Sequence, residues 1–196
     1  MRWGVLAVLG LALAGCNNTV SQTQPVSERD RTLMAQAPQV EMDYWRMPLR
    51  VPYRTTEAPG TIIVETSTKH LFLVEPNGTA IRYQVAVGNE AFGWTGTATI
   101  QRKAEWPTWT PPAEMIGRQP ELVKWRGGMP GGPQNALGAR ALYLYNKGGD
   151  TGYRLHGTPE WFSIGKAMSS GCIRLMNQDI IDLYNRAETG AKVIVM

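Results

Sequence analysis

The chain has 196 residues and a formal net charge of +4, from 20 Lys and Arg against 16 Asp and Glu. That length suits one domain with a proper core, and the charge is too modest and too dispersed for nucleic-acid binding, since no basic stripe or basic helix occurs. Two cysteines and two histidines without CxxC or HxxxH spacing offer no metal-ligand set.

Residues 1–15 read as a short export signal: Arg2, an apolar run from Trp3 to Leu13, then small residues, too short for a permanent bilayer span. Leu13-Ala14-Gly15-Cys16 resembles the cleavage site of bacterial lipoprotein signals. The resemblance implies that Cys16 becomes the lipidated first residue, with several acyl chains for stable anchoring. It also implies a place on the periplasmic side of the envelope, with Asn17 favouring the outer membrane. A plain secretory signal is the alternative. Residues 17–43 are polar, lack periodicity and carry scattered prolines, so they read as a flexible tether. Residues 44–60 are expected to lie along the domain surface as an extended arm. The expected division is therefore a signal at 1–15, lipidated Cys16 and tether at 16–51, and a folded domain at 52–196.

From Thr61 the pattern changes to strands. Thr61–Thr68 and Lys69–Glu75 are rich in β-branched and apolar residues, Pro76-Asn77-Gly78 is a hairpin turn, and Thr79–Val87 returns. His70 falls within this hairpin and reads as a partly exposed strand residue. Gly93–Lys103 predicts a further strand. The prolines around Trp106 and Trp109 then break regular structure, and these tryptophans either line a groove or cap the core. A short helix is expected within Glu114–Lys124, and Gly127–Gly138 reads as a flexible loop or lid. Ala139–Tyr145 and Gly152–His156 predict a strand pair with His156 at a strand end. Asn177–Glu188 carries apolar residues at helical spacing and is followed by Gly190, and Lys192–Met196 closes with a strand. The fold class is mainly β with α+β character and one principal helix.

The chemistry concentrates between His156 and Cys172. A thiol is a useful nucleophile only as thiolate, so a catalytic cysteine needs a basic neighbour such as histidine. Ser169, Ser170 and Gly171 precede Cys172, glycine letting backbone approach a substrate closely. Arg174 follows and is able to grip a carboxylate through two hydrogen bonds. If Cys16 is acylated, Cys172 has no disulfide partner and stays a free thiol in an oxidising compartment. Nucleophilic catalysis is a good reason for such a thiol to exist.

The segment HGTPEWFSIGKAMSSGCIRL, a histidine followed some fifteen residues later by Ser-Ser-Gly-Cys, resembles the signature of the L,D-transpeptidase (YkuD-type) catalytic domain. Further pieces agree, among them WPTWTPPAEMIGR and GGPQNALGARALYLY, and the likeness runs from about Pro52 to Met196. It implies a β-rich fold of mixed sheets or a β-sandwich, with Cys172 as nucleophile and His156 as general base facing one groove. Ser169, Ser170 and Gly171 would form the nucleophile and oxyanion loop, and Arg174, Gly157 and Trp109 are the candidate substrate contacts. Some members carry histidine at the place of Ser170 and asparagine at the place of Arg174, which bears on substrate choice. The implied substrates are peptidoglycan stem peptides, with a second stem or an envelope protein as acyl acceptor and no cofactor or metal. An L,D-carboxypeptidase using water, and a non-catalytic wall-binding lipoprotein, are the rival readings.

Overall fold

The structure, a computed structural model, describes residues 19–21, 24, 26–38, 40–41, 43–88, 93–169 and 171–196. The signal segment, Cys16 and Ser170 lie outside the described residues.

The elements in chain order are β1 (Thr19–Val20), α1 (Glu28–Met34), β2 (Leu49–Pro52), β3 (Ile62–Glu65), β4 (His70–Glu75), β5 (Thr79–Gln84), β6 (Val87–Gly88), β7 (Gly96–Glu105), α2 (Ala113–Arg118), β8 (Arg140–Asn146), β9 (Gly149–Thr158), β10 (Ala167–Ser169), β11 (Ile173–Met176), α3 (Asn177–Arg186) and β12 (Lys192–Val195). Ten strands form one mixed sheet in the order β1-β2-β5-β4-β3-β12-β7-β8-β9-β11, and β6 pairs with β10 in a small second sheet. The β3–β4–β5 meander is antiparallel, as its hairpin sequence dictates, with Asn77 at φ 63° in the turn. Three pairings are parallel, β12 with β3 and β11 with β9 in the large sheet and β10 with β6 in the small one. The β11–β9 pairing sets Cys172, just ahead of β11, beside the strand that carries His156.

One apolar cluster fills the centre, drawing on Ile62, Leu71, Ile81, Ile100, Leu142, Leu155 and Leu175, with Ile180 and Leu183 of α3 packed onto it. The helix lies across β8, β9 and β11 with its apolar stripe inward. Its expected extent, Asn177–Glu188, is met to within two residues.

The tether needs correcting. Within the span expected to be flexible, Glu28–Met34 is a helix with a complete capping box between Ser27 and Asp30. Asp30 is only 1% exposed. Its carboxylate meets Arg140 in a two-pronged pair at 2.8 and 2.7 Å and accepts the Trp106 indole N–H at 2.9 Å. Burial raises its pKa, but the hydrogen bonds from Arg140, Ser27 and Trp106 outweigh that and hold it well below the usual carboxylate range. Further along, Gln24 donates its backbone N–H to Asp182 and Arg186 reaches Ser21. Low hydrophobicity hid this segment because a buried ion pair docks it together with only a few apolar side chains, Val26, Leu33 and Met34. The folded unit likewise begins before residue 52, since β1 and β2 continue the sheet.

The loop 127–138 is pinned rather than free. Asn135, fully buried, donates to the carbonyls of Met129 and Pro130, and Met129 exchanges two backbone hydrogen bonds with Trp109. Of the two tryptophans, Trp106 caps the core at 3% exposure, while Trp109 stays half-buried.

Candidate functional site

β9 carries His156 near its end, and β11 runs beside it in parallel register, with Ile173 opposite Leu155 and Arg174 opposite His156. Alternation along a strand sends Leu155 into the apolar core and His156 to the other face. Cys172 stands immediately ahead of β11, and its sulfur accepts the backbone N–H of Arg154, two residues before His156. The thiol also lies 4.0 Å from the Gly152 carbonyl. Cys172 is a free cysteine and only partly buried as a residue. The register thus sets the cysteine and the histidine on neighbouring strands, two positions apart.

His156 is 5% exposed, and its Nδ1 lies 2.6 Å from the Gly157 carbonyl oxygen. A carbonyl only accepts, so Nδ1 carries the hydrogen and Nε2 keeps its lone pair. A main-chain carbonyl therefore orients the imidazole. Burial pushes the imidazole down to about 4, the Gly157 bond opposes this, and the charges of Arg174 and Arg154 push the same way as burial. Burial also pushes the Cys172 thiol up, against the Arg154 N–H and the charges of Arg154 and Arg174. At neutral pH the resting pair is thiol and neutral imidazole. Both groups lose water, and among the described residues the charges that act on the imidazole are those of Arg174 and Arg154, which disfavour the imidazolium.

Ser169 is buried and its hydroxyl donates to the Cys172 carbonyl while accepting the Gly171 N–H at 3.2 Å. It braces the nucleophile turn. Gly171 sits at φ 115°, where a side chain would be strained, and its Cα comes so close to β6 that a Cβ on Gly88 would lie 2.9 Å away. Arg174 is 21% exposed and paired with Glu160 at 2.8 Å. Arg154 pairs with Asp150 at 2.7 Å and lies over the Tyr143 ring, with Arg102 also over that ring. Two guanidiniums, Arg154 of β9 and Arg174 of β11, therefore belong to the strands beside the cysteine, a surface suited to carboxylates.

Two further candidate contacts have these places. Gly157 is buried, and its carbonyl lies against His156 Nδ1. The backbone of Trp109 is tied to Met129 and not to the strand pair that bears His156 and Cys172. Sequence reasoning missed Arg154, Gly88 and Asn177. An arginine two residues before the histidine was a legible signal for the first, whereas the other two matter only through contacts remote in sequence.

The family model described as the L,D-transpeptidase catalytic domain, YkuD, matches residues 59–195. The chain is 31% identical over 156 residues to "Probable L,D-transpeptidase YcfS" of Escherichia coli K12, covering 76% of this chain and 48% of that protein. Against "Probable L,D-transpeptidase YbiS" of the same organism it is 30% identical over 145 residues, covering 68% of this chain and 43% of that protein. The chain thus spans about half the length of these curated relatives. Among solved structures, a Brucella melitensis protein described as "Probable carnitine operon oxidoreductase caia" is 43% identical with a TM-score of 0.54, covering 79% of this chain and 96% of that one. An L,D-transpeptidase from Mycobacterium smegmatis has the same fold at 19% identity and a TM-score of 0.52, covering 69% of this chain and 58% of its own.

Proposed function

The chain belongs to the L,D-transpeptidase catalytic-domain family, and from that premise we propose that it is a peptidoglycan L,D-transpeptidase acting through a Cys172 thioester. His156 Nε2 takes the thiol proton as the sulfur attacks the carbonyl at the L-centre of the third stem residue. The bond to the terminal D-alanine breaks, its amine leaves with the proton from His156, and a thioester remains. An amine then attacks the thioester, passing its proton through His156 to the departing sulfur. That amine is the D-centre of a second stem or a lysine or amino terminus of an envelope protein. Because the Gly171 N–H is committed to Ser169, the Cys172 N–H is assigned as oxyanion donor, a contribution of about 10²–10³ in rate. The carboxylates of the stem pair with Arg154 and Arg174, displacing Asp150 and Glu160.

The observation that carries this reading is the β9–β11 register, which sets a free cysteine two positions along from an imidazole whose Nδ1 is bound to a carbonyl. Mass spectrometry of the protein with a stem tetrapeptide is expected to report an acyl adduct, free D-alanine and cross-linked dimer. Cys172→Ala is expected to give none of these, and an adduct on that variant refutes the assignment. Tripeptide in place of dimer would mean an L,D-carboxypeptidase. The upward push on the Cys172 thiol favours the rival of a non-catalytic wall binder. Absence of adduct with retained binding to cell-wall sacculi selects that rival.

The proposed location is the periplasmic side of the envelope, at the outer membrane, anchored through lipid on Cys16. Metabolic palmitate labelling that disappears in Cys16→Ala supports the anchor, and labelling that persists removes it.

A further inference from the structure

Asn177 opens α3, twenty-one positions beyond His156, yet its side chain reaches back to the strand that holds the imidazole. It is 8% exposed, and its Oδ1 accepts the Ala139 N–H at 2.9 Å. That oxygen occupies a slot made by two glycines. A Cβ added at Gly157 would fall 2.3 Å from it, and so would one at Gly138. The Gly138 position would also put a Cβ 2.5 Å from the carbonyl carbon of Gly157. Three backbones therefore converge on one amide oxygen with no room for any side-chain carbon. Gly157 is the same residue whose carbonyl receives the His156 Nδ1–H.

The other side of this slot is rigid. The Ala139 carbonyl accepts the Trp106 N–H at 2.8 Å and the Arg140 guanidinium at 2.8 Å, and Arg140 and Trp106 both hold Asp30. Asn177 is bonded to this node and packs closely against Gly157. The orientation of that peptide decides where its carbonyl points, and the carbonyl decides which imidazole nitrogen carries the hydrogen.

We propose that Asn177 is a positioning residue for the His156 base: by clamping Ala139 against Gly157 it aims the Gly157 carbonyl at Nδ1 and keeps Nε2 free for the thiol proton. For its kinetic consequence this rests on the reading of His156 as base; the tautomer consequence stands independently of it. A neighbour that only orients a reacting imidazole is worth about 10–100-fold, as for groups that support metal-bound histidines.

The test compares Asn177→Ala with Asn177→Asp, which keeps an acceptor oxygen, in the full chain. Asn177→Ala is expected to lower kcat for thioester formation 10–100-fold with KM within twofold, and Asn177→Asp to recover most of the loss. Nitrogen-15 NMR of the imidazole is expected to show a single Nδ1–H form in the wild type and in Asn177→Asp, and a mixture of both neutral forms in Asn177→Ala. Wild-type kcat and a single Nδ1–H form in Asn177→Ala overturn the proposal, as does a loss of rate that Asp fails to restore while the tautomer stays fixed. If Asn177→Ala does not fold, Asn177→Ser decides by the same NMR reading: an unchanged single form refutes, a mixture supports. Full thioester formation by His156→Ala would instead defeat the parent reading and leave the NMR outcome to judge Asn177.

Discussion

Asp30 and His156 are both ionisable, both almost sealed from water, and treated in opposite ways by the protein. Asp30 is 1% exposed and keeps its charge, because a guanidinium fork, an indole N–H and the Ser27 cap meet the carboxylate at once. His156 is 5% exposed and gives its charge up, because among the described residues its ring is bound to a carbonyl and the nearby charges that act on it are arginines. Donor supply, not depth, decides which buried group stays ionised. The first arrangement serves docking, fixing residues 26–38 against β8 and the Trp106 turn. The second leaves a lone pair ready to accept a proton, which is what a general base requires.

The sharpest way to break the comparison is to remove the carboxylate. Asp30→Ala leaves Arg140 buried with only the longer 3.7 Å pair to Glu105, and the loss expected is about 3–5 kcal/mol, read by denaturant unfolding. A change below about 1 kcal/mol would mean that the pair contributes nothing beyond packing. Because the Asp30 pKa is depressed, its stabilisation is present above the unfolded carboxylate pKa and vanishes only as pH falls below it. This effect is therefore flat from pH 5 upward.

His156 supplies the opposite window. Its pKa falls from 6.5 to about 4 on folding, so between those values the unfolded chain holds the extra proton and stability drops as pH falls. The shift corresponds to about 3 kcal/mol lost across that interval. Unfolding of His156→Gln, which cannot titrate, is expected to lack this slope, and the same slope in both proteins would show that His156 is not buried neutral.

Asp179 completes the series with the smallest effect. It is 1% exposed in the first turn of α3, and among the described residues neither carboxylate oxygen has a hydrogen-bond partner. Burial, then the charge of Asp182, push its pKa well up. A raised carboxyl contributes fully below the unfolded pKa of about 3.9 and loses that contribution as pH rises. Asp179→Asn is expected to gain about 1–3 kcal/mol over the wild type at pH 8 and nothing at pH 4, by thermal unfolding at both values. Equal stability at both pH values would place an unseen partner on the carboxylate.

Local patterns exposed most strands and α3, because alternation, the Asn77–Gly78 turn and helical spacing are properties of neighbouring residues. The first helix escaped notice for the converse reason: its anchor, Arg140, is 110 positions away, and the segment buries a charge with only a few apolar side chains. At the site, residue type and spacing pointed to Cys172 and His156, and β11 went unrecognised as the neighbour of β9 because Ile173–Met176 is too short to announce a strand.

What the sequence indicated unaided was the order of most strands and of α3, and a candidate sulfur and imidazole, since these follow from side-chain chemistry and short-range geometry. The tertiary structure alone decided the desolvation of that pair, the carbonyl beside the imidazole and the place of Asn177 behind Gly157. Desolvation and hydrogen bonding depend on which groups surround an atom in space, and here those groups come from β8, β9, β11 and α3 together.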